Sequence, residues 1–142
     1  MHLSDITSSY RSRLIIETYN KLVQKGDRVL DVGCGNGVVS AILAQEFRIK
    51  IVGCDMMRYL TRAISFVQME KEDRLPFRNN AFDVIFFNDV LHHTPRQNQE
   101  KLILESLRVA KKVLIFEVEP TIIGIIVDFF INKIHNLHQF LL

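Results

Sequence analysis

Three glycines at alternate positions, Gly33, Gly35 and Gly37, close the stretch Val29-Leu30-Asp31-Val32-Gly33-Cys34-Gly35-Asn36-Gly37. A ligand can lie against backbone only where side chains are absent, so this spacing marks a place of close approach between a strand and a helix. A dinucleotide fingerprint is spaced Gly-x-Gly-x-x-Gly. Here the third glycine comes one residue early and Val38 stands where that pattern needs one, which argues against a nicotinamide site. Asp31 falls at the end of a buried strand, where an unpaired carboxylate is costly. A cationic ammonium on a ligand would partner it, directly or through water, and so would the amides of the loop; the two are compatible. Asp55 ends a second apolar run, Ile49 to Cys54, beside the first. Its carboxylate can accept both hydroxyls of a ribose, or cap a segment that begins at Met56. His92 and His93 follow a further apolar run, and an imidazole with its ordinary pKa of ~6.5 suits proton removal near neutral pH. Either ring could instead satisfy backbone groups in a strand-to-helix connection.

These residues need a scaffold that brings strand ends together. Leu14, Ile15, Tyr19, Leu22 and Val23 repeat at helical spacing, predicting a lead-in helix over about Ser9 to Lys25 that stops at Gly26. Arg28 to Val32 reads as a buried parallel strand, and Val38 to Phe47 as a helix with a broad apolar face. After the Ile49–Cys54 strand the pattern predicts a short helix around Met57 to Ile64 and a weak strand near Phe66 to Met69. Leu75-Pro76-Phe77 and Asn79-Asn80 break regular structure before a strand over Phe82 to Asn88. Pro95 suits the first turn of a helix that runs to about Val109, with Leu102, Ile103, Ser106, Leu107 and Ala110 inward; Lys112 to Val118 is the fifth strand. Strands alternating with helices argue for a parallel α/β sheet with right-handed crossovers.

The chain, at 142 residues and 48% hydrophobic, is long enough for one core and short for two. A formal net charge of +2, with basic residues spread along the chain, gives no footprint for nucleic acid or an anionic membrane. Cys34 and Cys54 lack metal-ligand spacing, so a reducing, cytoplasmic compartment is expected; the polar start, Met1 to Tyr10, lacks the apolar centre of a signal peptide. The apolar tail from Thr121 is interrupted by Asp128, Lys133, His135 and His138, which argues against a transmembrane span and for a helix packed on the sheet. His135 and His138 have no evident third ligand, and no metal is expected.

Four landmarks together resemble the class I, seven-stranded S-adenosylmethionine-dependent methyltransferases, in particular the methyltransferase type 11 subgroup. They are the 29–37 stretch, Ile-Val-Gly-Cys-Asp (51–55), Leu75-Pro76-Phe77 followed by Ala81-Phe82-Asp83-Val84, and Asn88-Asp89-Val90-Leu91-His92-His93. The resemblance implies a three-layer Rossmann-like parallel sheet in the order 3-2-1-4-5 with helices on both faces. It also implies a pocket for S-adenosylmethionine: Asp31, Gly33, Cys34, Gly35 and Gly37 around its methionine and ribose parts, Asp55 on the ribose, Met56 against adenine, and Asn88 near the reacting methyl. The family's activity would be methyl transfer to a small-molecule or lipid-like acceptor.

Two departures from the family pattern set further expectations. Lys71 stands where relatives place an acid for the adenine, so Glu70, Glu72 or Asp73 is expected to take over after a register shift, Glu72 foremost. The chain also stops before the two further strands of the family sheet. The expected organisation is therefore one truncated domain: a lead-in helix (1–27), a core (28–118) and an apolar C-terminal helix (119–142). Either the fifth strand is an edge, covered by that helix or by a partner chain, with a homodimer forming through this edge or the apolar tail, or the chain is a fragment lacking the rest of its substrate pocket. The shortened sheet and Lys71 also motivate an alternative, a non-catalytic cofactor-binding or interaction module.

Overall fold

The protein is described by a computed structural model that covers residues 3–117 and 125–129, with side chains from residue 7 to residue 117. A helix, α1 (Leu3–Tyr19), leads into β1 (Arg28–Val32), α2 (Val38–Phe47), β2 (Lys50–Asp55) and β3 (Ser65–Gln68). Then come β4 (Phe82–Asn88), a single 3-10 turn (Leu91–His93), α3 (Arg96–Val109), β5 (Ala110–Glu117) and β6 (Ile125–Phe129). The sheet order is β3-β2-β1-β4-β5-β6; the first five strands are parallel and β6 is antiparallel to β5. Because the order reverses between β1 and β4, the loops that leave these two strands diverge and open a crevice at their C-terminal ends.

Side-chain alternation along the strands divides the interior into two cores. Val29, Val84, Phe86, Leu114 and Phe116 face one way and pack with Ile15 and Tyr19 of α1 and Leu43 of α2. Leu30, Val32, Ile85, Phe87, Val113 and Ile115 face the other way and pack with Leu102, Ile103 and Val109 of α3 and with Leu75 and Phe82. Each large side chain buried in this way contributes about 1.5–3 kcal/mol. The parity has a chemical consequence: Asp31 shares a face with Val29, and Asn88 with Phe86, so both polar groups point toward α1 and α2.

The Leu-Pro-Phe landmark is a structural clamp. Arg108 donates to the carbonyls of Phe77 (2.8 Å) and Leu75 (3.2 Å), to Asn79 Oδ1 (2.9 Å) and to both oxygens of Glu105 (2.9 and 2.8 Å). Glu105 in turn accepts from the Leu75 amide (3.1 Å). Arg108→Met is expected to lower stability by ~2 kcal/mol, since it strands charge-assisted and carbonyl partners together. A urea titration should show a lower midpoint at unchanged slope. Asp83 likewise joins strands: it accepts from the backbone and side chain of Arg28 and from Lys111, contacts that hold its carboxyl well below the usual range, hydrogen bonding from Arg28 leading.

Three sequence expectations are corrected. The segment 57–64 forms no helix: Thr61 donates to the Asn36 carbonyl (2.9 Å), and Leu60 and Ile64 pack against Gly37, so tertiary contacts claim the groups a helix would use. The β2-to-β3 connection is thus shorter than the dozen or so residues that a parallel crossover usually takes. The lead-in helix ends at Tyr19 rather than Lys25, because the Tyr19 carbonyl accepts from both Leu22 and Val23 and closes a turn. In the tail, Ile125–Phe129 is a strand on β5 rather than helix, so the outer edge of β5 is taken and is not free for a second copy. His135 and His138 and the rest of the tail lie outside the described residues.

Candidate functional site

Gly33, Gly35 and Gly37 all have positive φ (75°, 53° and 76°), which glycine adopts at little cost. Their surroundings differ. A Cβ on Gly33 would lie 2.1 Å from Val90 Cγ2, and one on Gly37 would lie 2.8 Å from Leu60 Cδ2. A Cβ on Gly35 would meet nothing within 4 Å. Two of the glycines therefore let protein pack on the loop, and Gly35 is the one that opens onto free space. Cys34 offers a ligand little: its amide donates to the Cys54 carbonyl (3.2 Å) and its thiol lies over Gly53, where burial pushes its pKa up to about 12.

Asp55, at the end of β2, engages both of its oxygens, one with the glycine loop and one with the next residue. Oδ2 accepts from the Gly35 amide (3.0 Å) and Oδ1 from its neighbour Met56 (2.7 Å). A carboxylate carries about four acceptor positions. Two amide bonds leave the others unused beside Gly35, so holding the loop does not exhaust the carboxylate's capacity to accept. Met56 also accepts, through its carbonyl, from Gln68 Nε2 at the end of β3 (3.1 Å). Gln68 thus joins the site's rim, and no motif in the sequence singles it out. Glu72 does not join this group: it sits exposed in a turn and accepts from Asn98 of α3 (3.3 Å).

Beneath the loop, Asp31 is 2% exposed. Its Oδ2 accepts from Ser40 of α2 (2.5 Å) and its Oδ1 from Asn88 Nδ2 (3.4 Å), while Asn88 Oδ1 accepts from the Tyr19 hydroxyl of α1 (3.1 Å). These partners are neutral, and none is a loop amide. Burial raises the Asp31 pKa to about 7 against the pull of the Ser40 and Asn88 donors, with the charge of Asp55 adding to the rise. A buried carboxyl held by neutral donors, next to open backbone, fits a ligand that carries its own positive charge.

The fourth corner is the loop after β4. His92 Nδ1 lies 2.7 Å from Glu117 Oε2 at the end of β5, and 3.6 Å from Asp89 Oδ1. Glu117 Oε1 accepts from the amides of Val90 (3.1 Å) and Leu91 (2.7 Å). Asp89 has positive φ (59°) and pairs with Arg11 of α1 (3.1 Å). The His93 ring lies against that of His92, tilted by 47° with ring centroids 3.9 Å apart. Glu117 is not legible as a site residue in the sequence, because the contact joins the ends of two strands far apart in the chain.

An α/β sheet with a glycine loop after β1, an acid ending β2 and a polar cluster after β4 defines a Rossmann-like protein built around a nucleoside-type cofactor. Comparison with known proteins gives the family. The model of a family described as a methyltransferase domain matches residues 30–116. The chain belongs to that methyltransferase domain family, whose methyl donor is S-adenosylmethionine. It is 34% identical over 116 residues to phosphoethanolamine N-methyltransferase 1 of Arabidopsis thaliana, covering 70% of this chain and 24% of that protein. It is 32% identical over 103 residues to the fatty-acid O-methyltransferase of Mycolicibacterium smegmatis, covering 66% and 37%. Among solved structures, phosphoethanolamine N-methyltransferase 2 of Haemonchus contortus, in complex with S-adenosyl-L-methionine, shares the fold at TM-score 0.62 and 24% identity, covering 73% and 27%. The chain therefore spans about a quarter to a third of the length of these relatives.

Proposed function

We propose that this chain binds S-adenosylmethionine and transfers its methyl group to a small-molecule or lipid-like acceptor. The observation that carries the reading is Asp31, a buried carboxyl held by neutral donors in β1, the strand that leads into the glycine loop that Asp55 holds at Gly35. Asp31 would face the cationic methionine end with Asn88, the loop from Gly33 to Gly37 would cradle it, Asp55 would hold the ribose, and Met56 would flank the adenine. When bound, the cofactor supplies a methyl group that its sulfonium already activates, so the residues around it have to align the acceptor and exclude water. The names of the two curated relatives, one acting on phosphoethanolamine and one on fatty acids, support acceptors from lipid chemistry. The buried free thiols of Cys34 and Cys54 fit the reducing conditions of a cytoplasm, and no helix among the described residues is long and apolar enough to cross a membrane.

The test is transfer of labelled methyl from S-adenosylmethionine to phosphoethanolamine or a long-chain fatty acid. Label on either acceptor supports an enzyme. Stabilisation by S-adenosylhomocysteine with no transfer to a broad acceptor panel would favour the binding-module reading, which the short β2–β3 connection also motivates. No stabilisation at all rejects both.

Asp31 gives this reading a pH signature. Its folded pKa, about 7, lies above the ordinary carboxyl value of 3.8, so the folded state keeps a proton that the unfolded state has released. Its contribution to stability is complete below about pH 4 and is lost as pH rises through about 7. Relative to Asp31→Asn, the wild-type chain should lose a few kcal/mol over that window, an order-of-magnitude figure from ~1.36 kcal/mol per pKa unit. A cationic ligand prefers the ionised carboxyl, so affinity for S-adenosylmethionine should rise with pH toward 7, with proton release on binding. Calorimetry in buffers of different ionisation enthalpy measures that release, and a pH-independent affinity would remove Asp31 from the cation site.

A further inference from the structure

Building on the proposed methyl transfer, we infer that Glu117 is a positioning residue that sets the tautomer of His92 and so equips the site for acceptors that must lose a proton, a hydroxyl or an ammonium nitrogen. Glu117 divides its two oxygens between two tasks. Oε1 accepts from the amides of Val90 and Leu91 and so anchors the loop after β4 to the end of β5. Oε2 lies 2.7 Å from His92 Nδ1. An ionised carboxylate only accepts, so a neutral His92 must carry its proton on Nδ1. The lone pair is then on Nε2, which has no protein partner among the described residues, and the His92 side chain is 47% exposed. This is how a carboxylate prepares an imidazole to act as a base.

The proton balance is simple. The acceptor's O–H or N–H bond breaks, its electron pair stays on the oxygen or nitrogen, and a new N–H bond forms at His92 Nε2. The resulting imidazolium faces two carboxylates, Glu117 from β5 and Asp89 just after β4, with Arg11 from α1 neutralising the far oxygen of Asp89 and the tilted His93 ring beside it. The electron pair left on the acceptor is the nucleophile for methyl transfer. Asp89, His92 and Glu117 also bring one ligand atom each within 4.8 Å of one another, a spacing a cation could bridge. The arrangement favours the proton: Arg11 already supplies positive charge to Asp89, and both oxygens of Glu117 are engaged.

Nitrogen-resolved NMR of the imidazole groups of the full 142-residue chain at alkaline pH, with His92 assigned by His92→Gln, tests this without any acceptor or cofactor. Wild-type His92 should be in the Nδ1–H form. In Glu117→Gln the amide oxygen can keep the Val90 and Leu91 bonds while its NH2 group turns to Nδ1, so His92 should switch to the Nε2–H form with little change in melting temperature. If methyl transfer is found, kcat for a protic acceptor should fall at least tenfold in this variant with KM for S-adenosylmethionine unchanged. Wild-type His92 in the Nε2–H form, a tautomer indifferent to Glu117→Gln, or stoichiometric zinc binding that involves the His92 ring overturns the inference. Failure of S-adenosylhomocysteine to stabilise the chain rejects the proposed function instead, and leaves the tautomer result standing.

Discussion

Replacing Asp55 with alanine is expected to abolish the stabilisation by S-adenosylhomocysteine that the proposed function entails. Ligand at 100 times its dissociation constant should raise the unfolding free energy of the wild type by ~2.7 kcal/mol. In the proposed placement, two charge-assisted hydrogen bonds to ribose hydroxyls, at about 1.5–3 kcal/mol each, would account for a more than ~100-fold loss of affinity when the carboxylate is removed. The same change frees the amides of Gly35 and Met56, so the ligand-free variant should itself be less stable. The ligand-induced difference, rather than the absolute melting temperature, is therefore the quantity to compare. Asp55→Asn separates the two roles: its carbonyl oxygen can keep one loop amide, while its NH2 cannot accept from the other amide or from a hydroxyl. That variant should fold and still lose the shift. An alanine variant that is stabilised as much as wild type would falsify the placement of the ribose on Asp55.

Gly33→Ala is expected to be the most damaging single-methyl change in the loop. The added Cβ lies 2.1 Å from Val90 Cγ2 and 2.9 Å from Val90 Cβ, on a backbone with φ of 75°. The left-handed conformation costs ~1–2 kcal/mol for a residue with a side chain, and overpacking costs a further ~1–3 kcal/mol. The sum, ~2–5 kcal/mol, is a large share of a typical domain's 5–15 kcal/mol. Val90→Ala in the same chain should recover the packing part and leave the backbone part, so a double-mutant cycle should show strong coupling between residues 33 and 90. Gly35→Ala should behave differently: its Cβ meets no protein atom within 4 Å, so stability falls only by the backbone cost while ligand binding suffers from the methyl in the crevice. Equal loss of binding and stability in both variants would contradict the division of roles among the three glycines.

Much of this site is legible in the order of residues along the chain, for a physical reason. Strand, glycine turn and helix are local: Val29 to Phe47 contains the apolar run, the positive-φ residues and the helical face that make β1, its loop and α2. The boundaries of β1, α2 and β4 follow from patterning, since these elements are largely buried and predominantly apolar. The segment 57–64 departs from its helical pattern because its decisive contacts, Thr61 to Asn36 and Leu60 to Gly37, are with a loop nearer the N-terminus, and propensity cannot register them. Ile125–Phe129 departs from the expected helix because a short apolar run is compatible with helix or strand, and pairing with Val113–Glu117 decides which.

The kind of site is written in residue type and short-range spacing: a close-approach glycine loop between strand and helix, an acid on each of two neighbouring strands, and two histidines after a fourth. How these groups share work emerges from the packed sheet. It set Asp31 between Ser40 and Asn88, left Gly35 alone among the loop glycines facing open space, tied Glu72 to α3, and brought Glu117 onto His92. Each of these depends on which strands become neighbours and on which face a side chain emerges, and those are properties of the assembled sheet rather than of any one segment.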